Sequence, residues 1–134
     1  RKISKAVALI ALGYQNKLIL GNLESKRDWG HAKDYVLAMW KMLQQKKPND
    51  FVIGSGKLHS VLDYLKIAFT HVNLNYKKYV KIDKKLFRIS DDTILRADFK
   101  NARKFLKWKP SINFKSLVHE MVDSDINKLK NNKY

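Results

Sequence analysis

The chain has 134 residues, with 28 Lys and Arg against 12 Asp and Glu and a formal net charge of +16. A hydrophobic share of 45% is that of a globular sequence, and the lack of any cysteine excludes a disulfide framework, thiolate metal ligands and cysteine catalysis. The longest apolar run, Ala6 to Gly13, is too short to cross a bilayer, so no membrane span is expected and a cytoplasmic location fits.

"RKISKAVALIALG" sets Ile3, Val7, Ile10 and Ala11 at helical spacing, with Gly13 where a C-terminal cap belongs. Nothing caps this helix ahead of Arg1, so it reads as already under way. We therefore expect the chain to be part of a longer protein whose N-terminal portion precedes it. "KLILGN" is a short apolar strand. "AKDYVLAMWKMLQQKK" then predicts a long amphipathic helix with Tyr35, Val36, Met39, Trp40 and Leu43 on one face. Asp34 stands near its start and Lys46 and Lys47 near its end, as the helix dipole prefers, and Pro48 closes it.

"DFVIGSG" predicts a second buried strand. "HSVLDYLKIAFTHV" predicts a helix capped by Ser60, with Asp63 completing a capping box, and "KKYVKID" a third strand. Two more helices follow the irregular "LFRISDDTILRAD": "FKNARKFLKW" and "NFKSLVHEMVDSDINKLK", with Asp98 and Asn113 as N-caps and Pro110 between them. Strand and helix alternate and give way to a helical tail, so the fold class is α/β with a parallel sheet. Two or three strands bury little by themselves, and the missing N-terminal half is expected to complete the sheet. No linker divides residues 1–134.

The charge invites a nucleic-acid reading, but the lysines are diffuse, as in "YKKYVKIDKK" and "KLKNNKY". A solvated surface accounts for that pattern, and no specific nucleic-acid partner is expected; a small basic nucleic-acid-binding module stays as the rival class. The chain has no G-x-G-x-x-G, and "GSGKLHS" has the look of a phosphate loop without its spacing. His31, His59, His71 and His119 show no metal-ligand spacing, so no metal is expected, and no complete catalytic set is present.

Three cations stand at element ends. Lys2 opens the first helix, Arg27 lies between a strand and a helix, and Arg88 sits in an irregular loop three residues before Asp91. Two guanidinium groups can clamp a diphosphate through their planar forks, and a carboxylate near one of them can accept both hydroxyls of a ribose. The same residues also read as plain structure. Arg27 and Asp28 can form a surface ion pair, Trp29 can sit in a core, Asp34 can complement the helix dipole, and Arg88 and Asp91 can be solvent-exposed. Spacing leaves both readings open.

The stretches "LGNLESKRDWGHAKDYVLAMWKMLQQ", "RKISKAVALIALG", "FVIGSGKLHSV" and "LKWKPSINFKSLVHEMVDSDI" resemble the GDP-mannose 4,6-dehydratase family, within the extended short-chain dehydrogenase/reductase superfamily. The resemblance runs over nearly the whole chain and corresponds to the C-terminal, substrate-binding portion. It implies an NADP-binding Rossmann part, and the dehydration of GDP-mannose to GDP-4-dehydro-6-deoxymannose on the route toward GDP-fucose. It also implies catalytic residues upstream of Arg1 and a homo-oligomeric full-length parent. The family's substrate residues lie in "TRK", "RDWG" and "RPTE"; here they match Lys2, Arg27, Arg88 and Asp91. A related nucleotide-sugar epimerase, dehydratase or reductase is the alternative. Three departures stand out: Ile89 and Asp91 replace the family's Pro and Glu, the segment before Arg88 is shortened, and Lys107 stands where the family has glycine.

Overall fold

The computed structural model describes residues 1–88 and 94–131. The chain forms two units, the first made of Arg1–Ser25, Ser60–Thr93 and Val118–Tyr134. Its opening helix α1 (Lys2–Ala11) buries Ser4, Ala6, Val7, Ala8 and Ile10. It ends as Gly13 predicts: that residue takes φ +79°, its N–H donates to Ile10 O at 3.1 Å, and Tyr14 N donates to Leu9 O at 2.8 Å. These paired bonds satisfy carbonyls that the helix end leaves open, and the left-handed turn favours a residue without Cβ.

Strand β1 (Leu18–Leu20) alternates buried, exposed, buried and pairs in parallel with β4 (Val80–Ile82), Leu18 opposite Val80. Between them lies α3 (Val61–His71), which starts in the expected capping box. Asp63 N donates to Ser60 Oγ at 3.0 Å, and Ser60 N donates to Asp63 Oδ2 at 2.8 Å. Tyr64, Leu65, Ala68 and Phe69 form the buried face of α3, which packs against α1, and burial pushes the Tyr64 phenol up to about 12. The long helix α5 (Phe114–Lys130) places Val118, Val122 and Asp125 in the interior. Asp125 accepts from the Arg1 guanidinium at 2.9 Å, which ties the start of α1 to α5.

The second unit comprises Lys26–His59 and Ile94–Leu117. Strand β2 (Lys26–Asp28) pairs with β3 (Leu58–Ser60), and the helices are α2 (Ala32–Leu43) and α4 (Lys100–Phe105). Ala38, Ala102, Leu106 and Trp108 are the buried centre, with Tyr35, Met42, Phe51, Ile53 and Phe99 packed against it. The Trp108 ring meets Phe99 edge-on with centroids 5.9 Å apart, and its indole N–H donates to the Asp34 carbonyl at 2.8 Å.

The α/β class and the parallel pairing stand, and several element-level expectations change. "DFVIGSG" is not a strand; residues 51–57 are irregular and the ladder starts only at Leu58. Lys26–Asp28, expected as a loop, is a strand. Helix α2 stops at Leu43, so Lys46 and Lys47 lie in the turn beyond it and Lys41 is the base of its last turn. Its buried residues are Asp34 and Ala38, while Val36, Met39, Trp40 and Leu43 are 57–82% exposed. Of the expected face only Tyr35 packs against the core, beside Met42, Ala38 and the polar contacts of Asp34. Asp98 is displaced by one residue as a cap. Phe99 is the N-cap of α4, and the Asp98 carboxylate accepts from Lys100 N at 3.1 Å. Asn113 does cap α5, accepting from Ser116 N at 2.9 Å.

Lys107 has φ +50°, a left-handed conformation that glycine adopts without strain and other residues do not. Lys41 Nζ helps hold the turn by donating to the carbonyls of Leu106 at 3.1 Å and Lys107 at 3.3 Å. Lys107→Gly is expected to stabilise the chain by up to about 1 kcal/mol, a rise of roughly 3–5 °C in melting temperature. A thermal melt checks this, and a lower melting temperature would show that the Lys107 side chain itself stabilises the turn.

Candidate functional site

Arg27 is the central residue of β2 and is half-buried; its Nη1 donates to the Lys26 carbonyl at 2.7 Å. The residues that follow are each anchored. Asp28 accepts from Ser55 N at 2.8 Å, Ser55 Oγ at 2.5 Å, Gly56 N at 2.8 Å and Ala97 N at 3.1 Å. Trp29 stacks on Phe114 with centroids 5.2 Å apart, and the same Phe114 ring stacks on His59 at 3.9 Å. Gly30 has no room for a Cβ, because the Tyr35 phenol closes over it. His31 is the N-cap of α2, its Nδ1 accepting from Lys33 N at 3.0 Å. The Asp-Trp-Gly-His run therefore fixes the backbone just beyond Arg27.

The resemblance of "GSGKLHS" to a phosphate loop has a physical basis. Backbone N–H groups at Ser55 and Gly56 do converge on an anion, and that anion is the Asp28 carboxylate. Burial opposes ionisation of Asp28 most strongly. The bonds from the Ser55 hydroxyl and from the Ser55, Ala97 and Gly56 N–H groups together outweigh it and hold the carboxyl below its usual range. The surface pair of Arg27 with Asp28 gives way to this knot.

Asp34 is built alike. It accepts from Ser111 Oγ at 2.6 Å and from Ser111 N and Ile112 N at 3.0 Å. Burial again opposes ionisation, and these bonds, with the nearby His31, depress its pKa. The Tyr35 phenol is pushed up by burial and by the Asp28 and Asp34 charges, against a bond to the Gly30 backbone.

Depressed carboxylates stabilise the fold fully above their unfolded pKa near 3.8 and lose that contribution as pH falls through the folded values. Acid unfolding, followed by circular dichroism, is therefore expected to begin below about pH 4. Asp34→Asn should flatten that limb while lowering stability at neutral pH.

In the first unit Lys2 is exposed at the start of α1, and its Nζ donates to the Ile19 carbonyl at 2.9 Å. It lines a cleft of about 360 Å³ with Arg1, Lys5 and Gln15 over an apolar wall that includes Leu9 and Leu18. Arg88 is exposed beyond β4. Asp91 and Ile89 lie outside the described residues. Of the four expected site residues, Lys2 and Arg88 thus belong to one unit and Arg27 to the other. Asp28 is the residue that sequence reasoning passed over. Its partners lie 27, 28 and 69 positions away, and the only local hint was the excess of small N–H donors in "GSG". Among the described residues no group of three or more His, Asp and Glu gathers to hold a metal, and no helix is long and apolar enough to cross a membrane.

Comparison with known proteins gives a consistent result. Residues 1–121 match the family described as GDP-mannose 4,6 dehydratase. GDP-mannose 4,6 dehydratase 1 of Arabidopsis thaliana is 46% identical over 133 residues, covering 99% of this chain and 37% of that protein. The Homo sapiens GDP-mannose 4,6 dehydratase is 41% identical over 149 residues, covering 98% and 40%. The human alignment is longer than this chain and the Arabidopsis one is not, so a length difference like that expected before Arg88 lies within the family. Among solved structures, RMD from Pseudomonas aeruginosa complexed with NADPH superposes with a TM-score of 0.83 at 16% identity, over 94% of this chain and 41% of that one. The dTDP-glucose 4,6-dehydratase of Bacillus anthracis in complex with NAD gives 0.76 at 20% identity, over 100% and 40%. These two share the fold. The chain spans about two fifths of the length of the curated relatives it matches.

Proposed function

Since the chain belongs to the GDP-mannose 4,6 dehydratase family, we propose that it is the nucleotide-sugar-binding part of an enzyme of that activity. The reaction converts GDP-mannose to GDP-4-dehydro-6-deoxymannose and water. Identity of 46% over nearly the whole chain carries this reading. Arg27 binds diphosphate oxygens through its planar fork, which a braced strand can aim. Lys2 and Arg88 contribute positive charge toward the nucleotide, and Asp91 accepts from the ribose hydroxyls.

In the whole enzyme a nicotinamide cofactor, NADP in this reading, would supply hydride-transfer chemistry. The chain has no G-x-G-x-x-G, and the Gly54–Gly56 loop already wraps a carboxylate, so no cofactor contact is assigned to these residues. A homo-oligomeric parent is part of the same proposal.

The test is calorimetric titration of the chain with GDP-mannose, GDP, UDP and inorganic diphosphate. Selective binding of the two guanine nucleotides is expected, with no turnover of GDP-mannose when NADP is added. Equal binding of all four, falling steeply between about 50 and 200 mM salt, would mark a generic basic surface and favour the nucleic-acid class.

A further inference from the structure

A two-stranded ladder of three-residue strands is a weak mount for a guanidinium that must meet a diphosphate in two-pronged geometry. Successive strand side chains point to opposite faces, so whatever grips Asp28 secures β2 on the face away from Arg27. That grip is unusually complete. Asp28 Oδ1 accepts from Ser55 N and Ser55 Oγ, and Oδ2 from Gly56 N and Ala97 N. The loop is cut to fit it: a Cβ on Gly54 would run into the Ala97 methyl, and Gly56 takes φ +71° where a Cβ would meet the Phe99 ring.

We propose that Asp28 is a positioning residue for Arg27. It gathers the Gly54–Gly56 loop and the backbone at Ala97 onto one carboxylate, and so holds β2 where the guanidinium meets the nucleotide's diphosphate. This rests on the reading of Arg27 as a diphosphate ligand. Asp28 itself touches no part of the nucleotide. All four partners are donors, so the requirement is for two acceptor oxygens. Asparagine keeps the shape and turns an NH₂ toward N–H groups, which loosens the knot without opening a cavity.

The experiment is a double-mutant cycle in the whole enzyme that carries this chain, titrated by calorimetry with GDP-mannose and with guanosine, which lacks the diphosphate. Asp28→Asn is expected to weaken GDP-mannose binding roughly tenfold, the size of a coupled neighbour contact, and to leave guanosine affinity unchanged. Arg27→Ala/Asp28→Asn should bind GDP-mannose no more weakly than Arg27→Ala alone, because Asp28 acts only through Arg27. Equal weakening of both ligands, an unchanged GDP-mannose affinity in Asp28→Asn, or additive losses in the double variant would overturn the positioning role and leave the Arg27 reading standing. An Arg27→Ala variant that binds GDP-mannose as tightly as the parent would remove the reading beneath it. If circular dichroism shows Asp28→Asn unfolded, Ser55→Ala takes its place in the cycle. It deletes one donor, with an expected loss of about threefold and the same non-additivity with Arg27→Ala.

Discussion

Arg27→Ala is expected to weaken GDP-mannose binding by roughly 2–4 kcal/mol, since it removes a charge-assisted contact made from a half-buried site. Arg27→Lys should recover only part of the loss, because an ammonium cannot reproduce two parallel N–H donors in one plane. The deficit should appear with GDP as fully as with GDP-mannose, as the contact is to the diphosphate and not to the hexose. The melting temperature should fall less than it does for Asp28→Asn, because Asp28, Trp29, Gly30 and His31 anchor the backbone. A structural arginine would reverse the pattern, with a lower melting temperature and an unchanged GDP affinity in the folded fraction. That outcome would sink the diphosphate role.

Trp108→Ala is expected to be the most destabilising single change in the second unit, at about 3–5 kcal/mol for emptying the site of a large buried aromatic. Trp108 is 1% exposed and joins Ala38 of α2 to Ala102 and Leu106 at the end of α4. Its indole also supplies a donor to the Asp34 carbonyl, so alanine leaves that oxygen without this partner as well as opening a cavity. Trp108→Phe separates the two effects: it keeps most of the packing and loses the N–H, for an expected cost of about 1–2 kcal/mol. Urea titration measures both variants, and amide exchange should show the loss of protection in α2 and α4. Equal costs for the two substitutions would assign the whole effect to the hydrogen bond and contradict the packing account.

The local code determined a good deal by itself. Helices α1, α3 and α5 were legible because a capping box, a left-handed glycine and an Asn N-cap act within a few residues of where they stand. Lys107 stood out only through the resemblance, where the family has glycine, and its positive φ is a conformation that penalises a side chain. The family was legible in the runs around "RDWG", and with it the expectation about Arg27.

Only the tertiary structure decided which face of α2 turns inward. Hydrophobic periodicity favoured Tyr35, Val36, Met39, Trp40 and Leu43, and of these only Tyr35 packs against the core. The interior took Ala38, small enough for close packing, and Asp34, whose carboxylate meets donors at Ser111 and Ile112, 77 and 78 positions along the chain. Likewise "GSG" looked like a strand end or a failed phosphate loop until its N–H groups were seen to close on Asp28. Hydrogen bonds between distant segments leave no periodicity in a sequence. A buried carboxylate is costly unless backbone donors surround it, and those donors are present in nearly every residue type. The residue that braces Arg27 therefore could be found only once the chain had folded around it.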